Sequence, residues 1–204
     1  MPQEQRPAVL LDLAIDRLAR STRGRTPTGV GHDDADADTG TVATDDAIGF
    51  DPRPLLGALD AAGARAVAIG QVAGIMHGSQ ELTGDLDLLW SGAAADIPAM
   101  VTAFTAAGAE LFDENGDPMA IGPEALGAPK VLFRTASASG DCCTPALSWG
   151  GLDVSAFVER ALRARAADGT GIWYLNRADL IAIREALDRP KDVRRAAELR
   201  ALRP

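Results

Sequence analysis

The sequence predicts an α/β (α+β) fold, a small mixed sheet flanked by helices with a C-terminal helical extension. Short apolar runs of strand length at Val67–Ile69, Glu110–Phe112 and Lys130–Thr135 alternate with stretches of helical spacing. Gly63 and Gly108 close two of those stretches, where a left-handed cap is expected. With 204 residues and 47% hydrophobic content, the chain has room for one domain with a sizeable core, plus appendages.

In chain order, residues 1–20 read as an N-terminal amphipathic helix, because Ala8 to Ala19 carries apolar residues at helical spacing. That helix docks either on the domain or on a partner. Residues 21–49 lose all apolar periodicity and are rich in glycine and aspartate, so a disordered acidic linker is expected. The aspartates lack the glycine and glutamate positions of a calcium loop. Residues 50–157 form the expected core. Pro52 and Pro54 start a helix that buries Leu55, Leu56 and Leu59, and Val67–Ile69 enters the sheet. A short helix over about Val72 to His77 follows, then a strand over Asp85–Leu89. Pro98 opens the next helix. Residues 137–150 read as a loop, and Gly151–Phe157 has strand character. Residues 158–204 read as helical, with Asn176 or Asp179 as a cap and Arg189-Pro190 as a break between the last two helices.

No apolar run reaches the ~20 residues of a membrane span, and the N-terminus lacks the apolar core of a signal peptide. A cytoplasmic protein without membrane contact is expected. Cys142 and Cys143 are adjacent and belong to no Cys-x-x-Cys pair, which argues against zinc and against a structural disulfide. His77 is expected to pack beneath its helix. The net charge of -9 is unevenly spread: residues 51–157 are strongly acidic, whereas residues 158–204 carry an excess of arginine and lysine. An acidic half facing a basic half suits a metal and polyphosphate site.

The chemistry concentrates in Ile69 to Trp90. On a strand, Asp85 and Asp87 share one face while Leu86 and Leu88 share the other. Paired carboxylates on a rigid strand repel each other unless a cation absorbs the charge. Magnesium, or manganese, suits oxygen ligands of this kind. Asp153, in the apolar run after Gly151, is the expected third carboxylate.

Gly70, His77-Gly78, Thr83, Asp85 and Asp87 follow the order and spacing of a family pattern. The segment resembles the nucleotidyltransferases of the DNA polymerase beta-like superfamily, especially their AbiEii/AbiGii toxin-like branch. The likeness extends through Tyr174–Leu180 and Arg189-Pro-Lys-Asp192 and covers roughly Phe50 to the end. It implies a nucleotidyltransferase fold and transfer of a nucleoside monophosphate from a nucleoside triphosphate to a hydroxyl acceptor (RNA, a protein or a small molecule). The resemblance also implies two magnesium ions on Asp85, Asp87 and Asp153 and an antitoxin partner. Gly70, Gln71 and Thr83 would border the nucleotide, and Arg189 and Lys191 would meet its phosphates. The sequence departs from the pattern at Gln71, where the family has a small residue, and at Glu81, where it has arginine. Those two departures motivate a rival reading, a nucleotide- or protein-binding module of the same fold with little catalysis.

Overall fold

Eight strands make one open mixed sheet in the computed structural model, which describes residues 4–31 and 40–202. The strands are β1 (Val67–Ala68), β2 (Leu88–Leu89), β3 (Glu110–Phe112), β4 (Pro118–Met119), β5 (Lys130–Arg134), β6 (Ser139–Cys143), β7 (Leu162–Arg165) and β8 (Gly171–Tyr174). Their spatial order is β4-β3-β5-β6-β2-β1-β8-β7, with β2 parallel to β6, β1 parallel to β8, and antiparallel pairs elsewhere. The α-helices are α1 (Arg6–Thr22), α2 (Arg53–Ala61), α3 (Gly70–Met76), α4 (Ile97–Ala106), α5 (Pro123–Leu126), α6 (Arg177–Leu187) and α7 (Pro190–Ala201). The expected fold class is therefore observed, and no described helix is long and apolar enough to cross a membrane.

Alternation along the strands assigns the two faces. Leu88, Val131, Phe133, Cys142, Ile172 and Tyr174 point into the larger core, which α1, α2 and α4 complete with Leu11, Leu56 and Phe104. Val67, Leu89 and Cys143 point the other way, into a smaller core with Trp149, Phe157, Ile183 of α6 and Leu199 of α7. Helix α1 docks on the domain itself. It packs along α3, and Leu11, Ile15 and Leu18 are fully buried there.

Five expectations require correction. Residues 21–31 and 40–49 are not a linker, because α1 runs on to Thr22 and the rest is bonded into the domain. Arg25 donates to the carbonyls of Val42, Ala43 and Thr44, and Asp45 accepts from the backbone of Thr28 and Gly29. Thr41, Thr44 and Ala47 are buried. Polar side chains and local backbone bonds order this stretch, so apolar periodicity is no guide to it. Residues 32–39, the remainder of the expected linker, lie outside the described residues.

The expected loop over residues 137–150 contains β6, and its two cysteines are free and buried on a strand. Ser-Gly-Asp-Cys-Cys has little strand propensity of its own; pairing with β5 on one side and β2 on the other imposes it. Gly140 allows that pairing, since a Cβ there would stand 2.0 Å from the Leu86 carbonyl oxygen. The expected Asp85–Leu89 strand shortens to Leu88–Leu89, and Gly151–Phe157 is irregular chain that forms a turn from Ser155 on and contains no strand. The stretch after residue 158 is only partly helical, because the β7–β8 hairpin extends the sheet before α6 begins. Asn176 caps α6, its side chain accepting from the Asp179 N–H, and Asp188 at φ 49° turns the chain into α7.

Candidate functional site

The end of β1, the start of α3, the approach to β2 and the centre of β6 meet beneath α6 and α7. They enclose a cavity of about 300 Å³ lined by Asp85, Asp87 and Asp141 on one side and Arg189, Lys191 and Arg195 on the other. Strand geometry aligns the acids. Leu88 pairs with Cys142 and Leu89 with Cys143, so Asp87 and Asp141 precede paired residues on parallel neighbours and share a face.

Asp87 lies deepest. Gly70, at φ 58°, starts α3 directly against it, and a Cβ at that position would stand 1.9 Å from the Asp87 Oδ2 atom. Only glycine fits both that backbone conformation and that contact. Burial, and after it the charges of Asp85 and Asp141, push the Asp87 carboxyl well above the ordinary carboxylate range; Lys191 and Arg195 pull it back. No described residue donates a hydrogen bond to it.

The two neighbouring acids have partners. Asp85 accepts from the Thr41 hydroxyl at 2.9 Å and from Thr83, and the N–H of Gly84 is satisfied by Thr41. Asp141 forms an ion pair with Lys130 of β5 at 3.0 Å. Burial opposes the Lys130 charge, but Asp141 outweighs it and raises the ammonium pKa. Among the described residues no three acidic, histidine or cysteine side chains converge tightly enough to form a ready metal cage.

Asp153 does not belong to this group. It is exposed in a turn, absent from the cavity lining, and accepts from the Ser155 N–H at 2.9 Å, which lowers its pKa. The acids that line the cavity beside Asp85 and Asp87 are Asp141 and Glu114, and the sequence hides Asp141 because Gly140 and the cysteines disguise β6. Its one local signal is its place immediately before two small buried residues. Arg189 and Lys191 do line the cavity, although Arg189, which precedes α7, is bound to Asp192 in the first turn of that helix at 2.5 Å. Arg195 joins them and was not anticipated.

Gln71 and Thr83 have different work from that expected. The Thr83 hydroxyl is buried against Thr41 and Asp85, so it orients the acid. Gln71 reaches the cavity edge, but its amide donates to Ser79 Oγ and the Glu81 carbonyl and accepts from Arg184. Arg184 is buried, which pushes its pKa down to about 10 with help from Arg195, and it donates to the carbonyls of Gly70 and Arg195. Glu81 binds Arg195 at 2.5 Å and Arg194 at 3.5 Å, while Ser79 donates to Glu198 of α7. The two departures from the family pattern are thus joined in one network that fastens α6 and α7 over the cavity. His77 packs beneath α3 as expected, its Nε2 bonded to the Leu175 carbonyl and its ring beside Tyr174.

Comparison with protein-family models gives no match for this chain, and neither does comparison with curated proteins.

Proposed function

We propose that this protein is a metal-dependent nucleotidyltransferase that moves a nucleoside monophosphate from a nucleoside triphosphate to an acceptor hydroxyl. The observation that carries the reading is the meeting of Asp85, Asp87 and Asp141 with Lys191, Arg195 and Arg189 across one cavity. The donor set fits magnesium or manganese. All three acids offer hard oxygens, and Asp87 holds a disfavoured charge that no described hydrogen bond relieves. Asp85 and Asp87 would hold the metal, with Asp141 in the place first given to Asp153. Bound metal would neutralise phosphoryl charge and lower the acceptor's pKa.

The remaining work falls to the chain itself. Lys191 and Arg195 face the carboxylates and offset the charge of a triphosphate. Asp141 accepts the proton of the acceptor hydroxyl, and its bond to Lys130 fixes its direction. Helices α6 and α7 form one wall of the cavity, through Ile183, Leu187, Lys191 and Arg195.

The rival reading, a binding module with little catalysis, draws support from the threonine hold on Asp85 and the lysine hold on Asp141. Mass spectrometry of products formed from mixed triphosphates, magnesium and total cellular RNA separates the two. Transfer that is lost in Asp87→Asn and in Lys191→Ala supports the enzyme. Triphosphate binding without any transfer supports the module.

A further inference from the structure

A second hollow of about 390 Å³ lies on the same face of the sheet, beside the carboxylate cavity. Its floor is made by alternate residues of three adjacent strands: Phe112 of β3, Leu132 and Arg134 of β5, and Ser139 and Asp141 of β6. Asp46, from the 3₁₀ turn Asp45–Ala47, forms a wall. Asp141 lines both hollows, so they meet at a single carboxylate.

Their charges differ. The carboxylate cavity is lined by Lys130, Arg189, Lys191 and Arg195, whereas Arg134 is the one cation among the described residues that line the groove. That guanidinium lies over the Phe112 ring, 5.4 Å from its centre, and Glu110 stands opposite it on β3. Asp46 accepts a hydrogen bond from the Ser139 hydroxyl at 2.8 Å and pairs with no described cation. A nucleic-acid strand is a poor occupant of such a groove, because its phosphates need a track of lysine or arginine. The volume suits a small molecule, and Phe112 and Leu132 suit an apolar or aromatic body.

We propose that the groove is the acceptor subsite and takes a small hydroxyl-bearing amine, its ammonium at Asp46 and its hydroxyl at Asp141. The binding claim stands alone; the role as acceptor rests on the nucleotidyl-transfer reading. In that step the acceptor oxygen bonds to the α-phosphorus and the bond from that phosphorus to the β-bridging oxygen breaks. Pyrophosphate leaves with the electron pair, and the hydroxyl proton passes to Asp141.

The test is an NMR titration of the full chain, without metal or nucleotide, with three probes of one shape. These are tyramine, neutral 4-ethylphenol and anionic 3-(4-hydroxyphenyl)propionate. The expected result is that tyramine binds about tenfold more tightly than either of the others, with amide shifts centred on Phe112 and Ser139–Asp141. Asp46→Asn should reduce tyramine to the affinity of 4-ethylphenol, and Leu132→Trp, which fills the groove, should remove the binding of all three. Equal affinity for the three probes, shifts centred elsewhere, or no shift at millimolar tyramine would overturn the subsite. Adding ATP and magnesium to the tyramine sample then tests the step. Binding without transfer counts against the enzyme reading alone, and transfer to another acceptor without tyramine binding counts against the subsite alone.

Discussion

Two sets of ionisable groups lie on either side of Gly70, and the fold gives them different hydrogen-bond partners. Arg184 has three hydrogen-bond acceptors, the carbonyls of Gly70 and Arg195 and the Gln71 amide, and Asp192, Glu198 and Glu81 offset part of the cost that burial and Arg195 impose on its charge. Asp87 has two like charges nearby and no described hydrogen bond. A satisfied network in low dielectric rigidifies a fold, whereas a disfavoured charge in a cleft marks a place where a ligand would repay its cost. The first set should therefore govern stability and the second should govern response to ligands.

The largest effect is expected on the satisfied side. Arg184→Met strands three acceptors at the α3–α6–α7 junction and should cost about 3 kcal/mol in denaturant unfolding. Arg184→Lys should recover little, because a single ammonium cannot reproduce the planar fork. A cost near zero for both variants would erase the contrast.

Metal probes the other side. Magnesium or manganese at about tenfold above its dissociation constant should stabilise the protein by about 1.4 kcal/mol, a rise of a few degrees in thermal midpoint. Asp87→Asn should remove that rise and still fold. An unchanged rise in the variant would locate the metal elsewhere.

The same variant carries a pH signature. A carboxyl with its folded-state pKa above the ordinary 3.8 binds more protons folded than unfolded. Its contribution is fully present below the unfolded pKa and is lost as pH rises through the folded value. Without metal, Asp87→Asn should therefore be more stable than the parent near neutral pH, by on the order of 1 kcal/mol, with the advantage fading towards about pH 4. A variant less stable than its parent across that range would show that Asp87 is not a repelled charge.

How much of this was readable beforehand follows the same division. Apolar spacing located α1, α2, α4, β3 and β5, because each buries a periodic face. It misplaced β6 and the β7–β8 hairpin, where Ser-Gly-Asp-Cys-Cys and Leu-Arg-Ala-Arg become strands only through their neighbours. The Asp85–Asp87 pair was legible because local sequence places it, whereas Lys191 was suggested by the resemblance through the Arg189-Pro-Lys-Asp192 run. Asp141 was not, since its partner acids lie more than fifty residues away and only the β2–β6 pairing joins them. Thr41 was hidden for a related reason: a threonine in an aspartate- and glycine-rich stretch gives no hint that it will bind Asp85.

The smallest expected effect belongs to His77, which lies close enough to Arg184 to feel its charge but does not bond to it. Burial lowers its pKa from 6.5, and Arg177 and Arg184 lower it further, against the opposing bond to the Leu175 carbonyl. The folded state therefore binds this proton less readily than the unfolded chain does. The stability it supports is present above the unfolded value and is lost as pH falls through 6.5 towards the folded value. His77→Gln keeps a donor for the Leu175 carbonyl but cannot titrate, so only the parent should weaken through this group on acidification. Comparing the two unfolding curves at about pH 7.5 and about pH 5.5 cancels contributions they share, including that of His32, and should leave a difference of under about 1 kcal/mol. A gap that does not change with pH would mean that His77 binds its proton equally well in the folded and unfolded states, and a gap that changes in the opposite sense would mean that the imidazolium makes the bond to the Leu175 carbonyl.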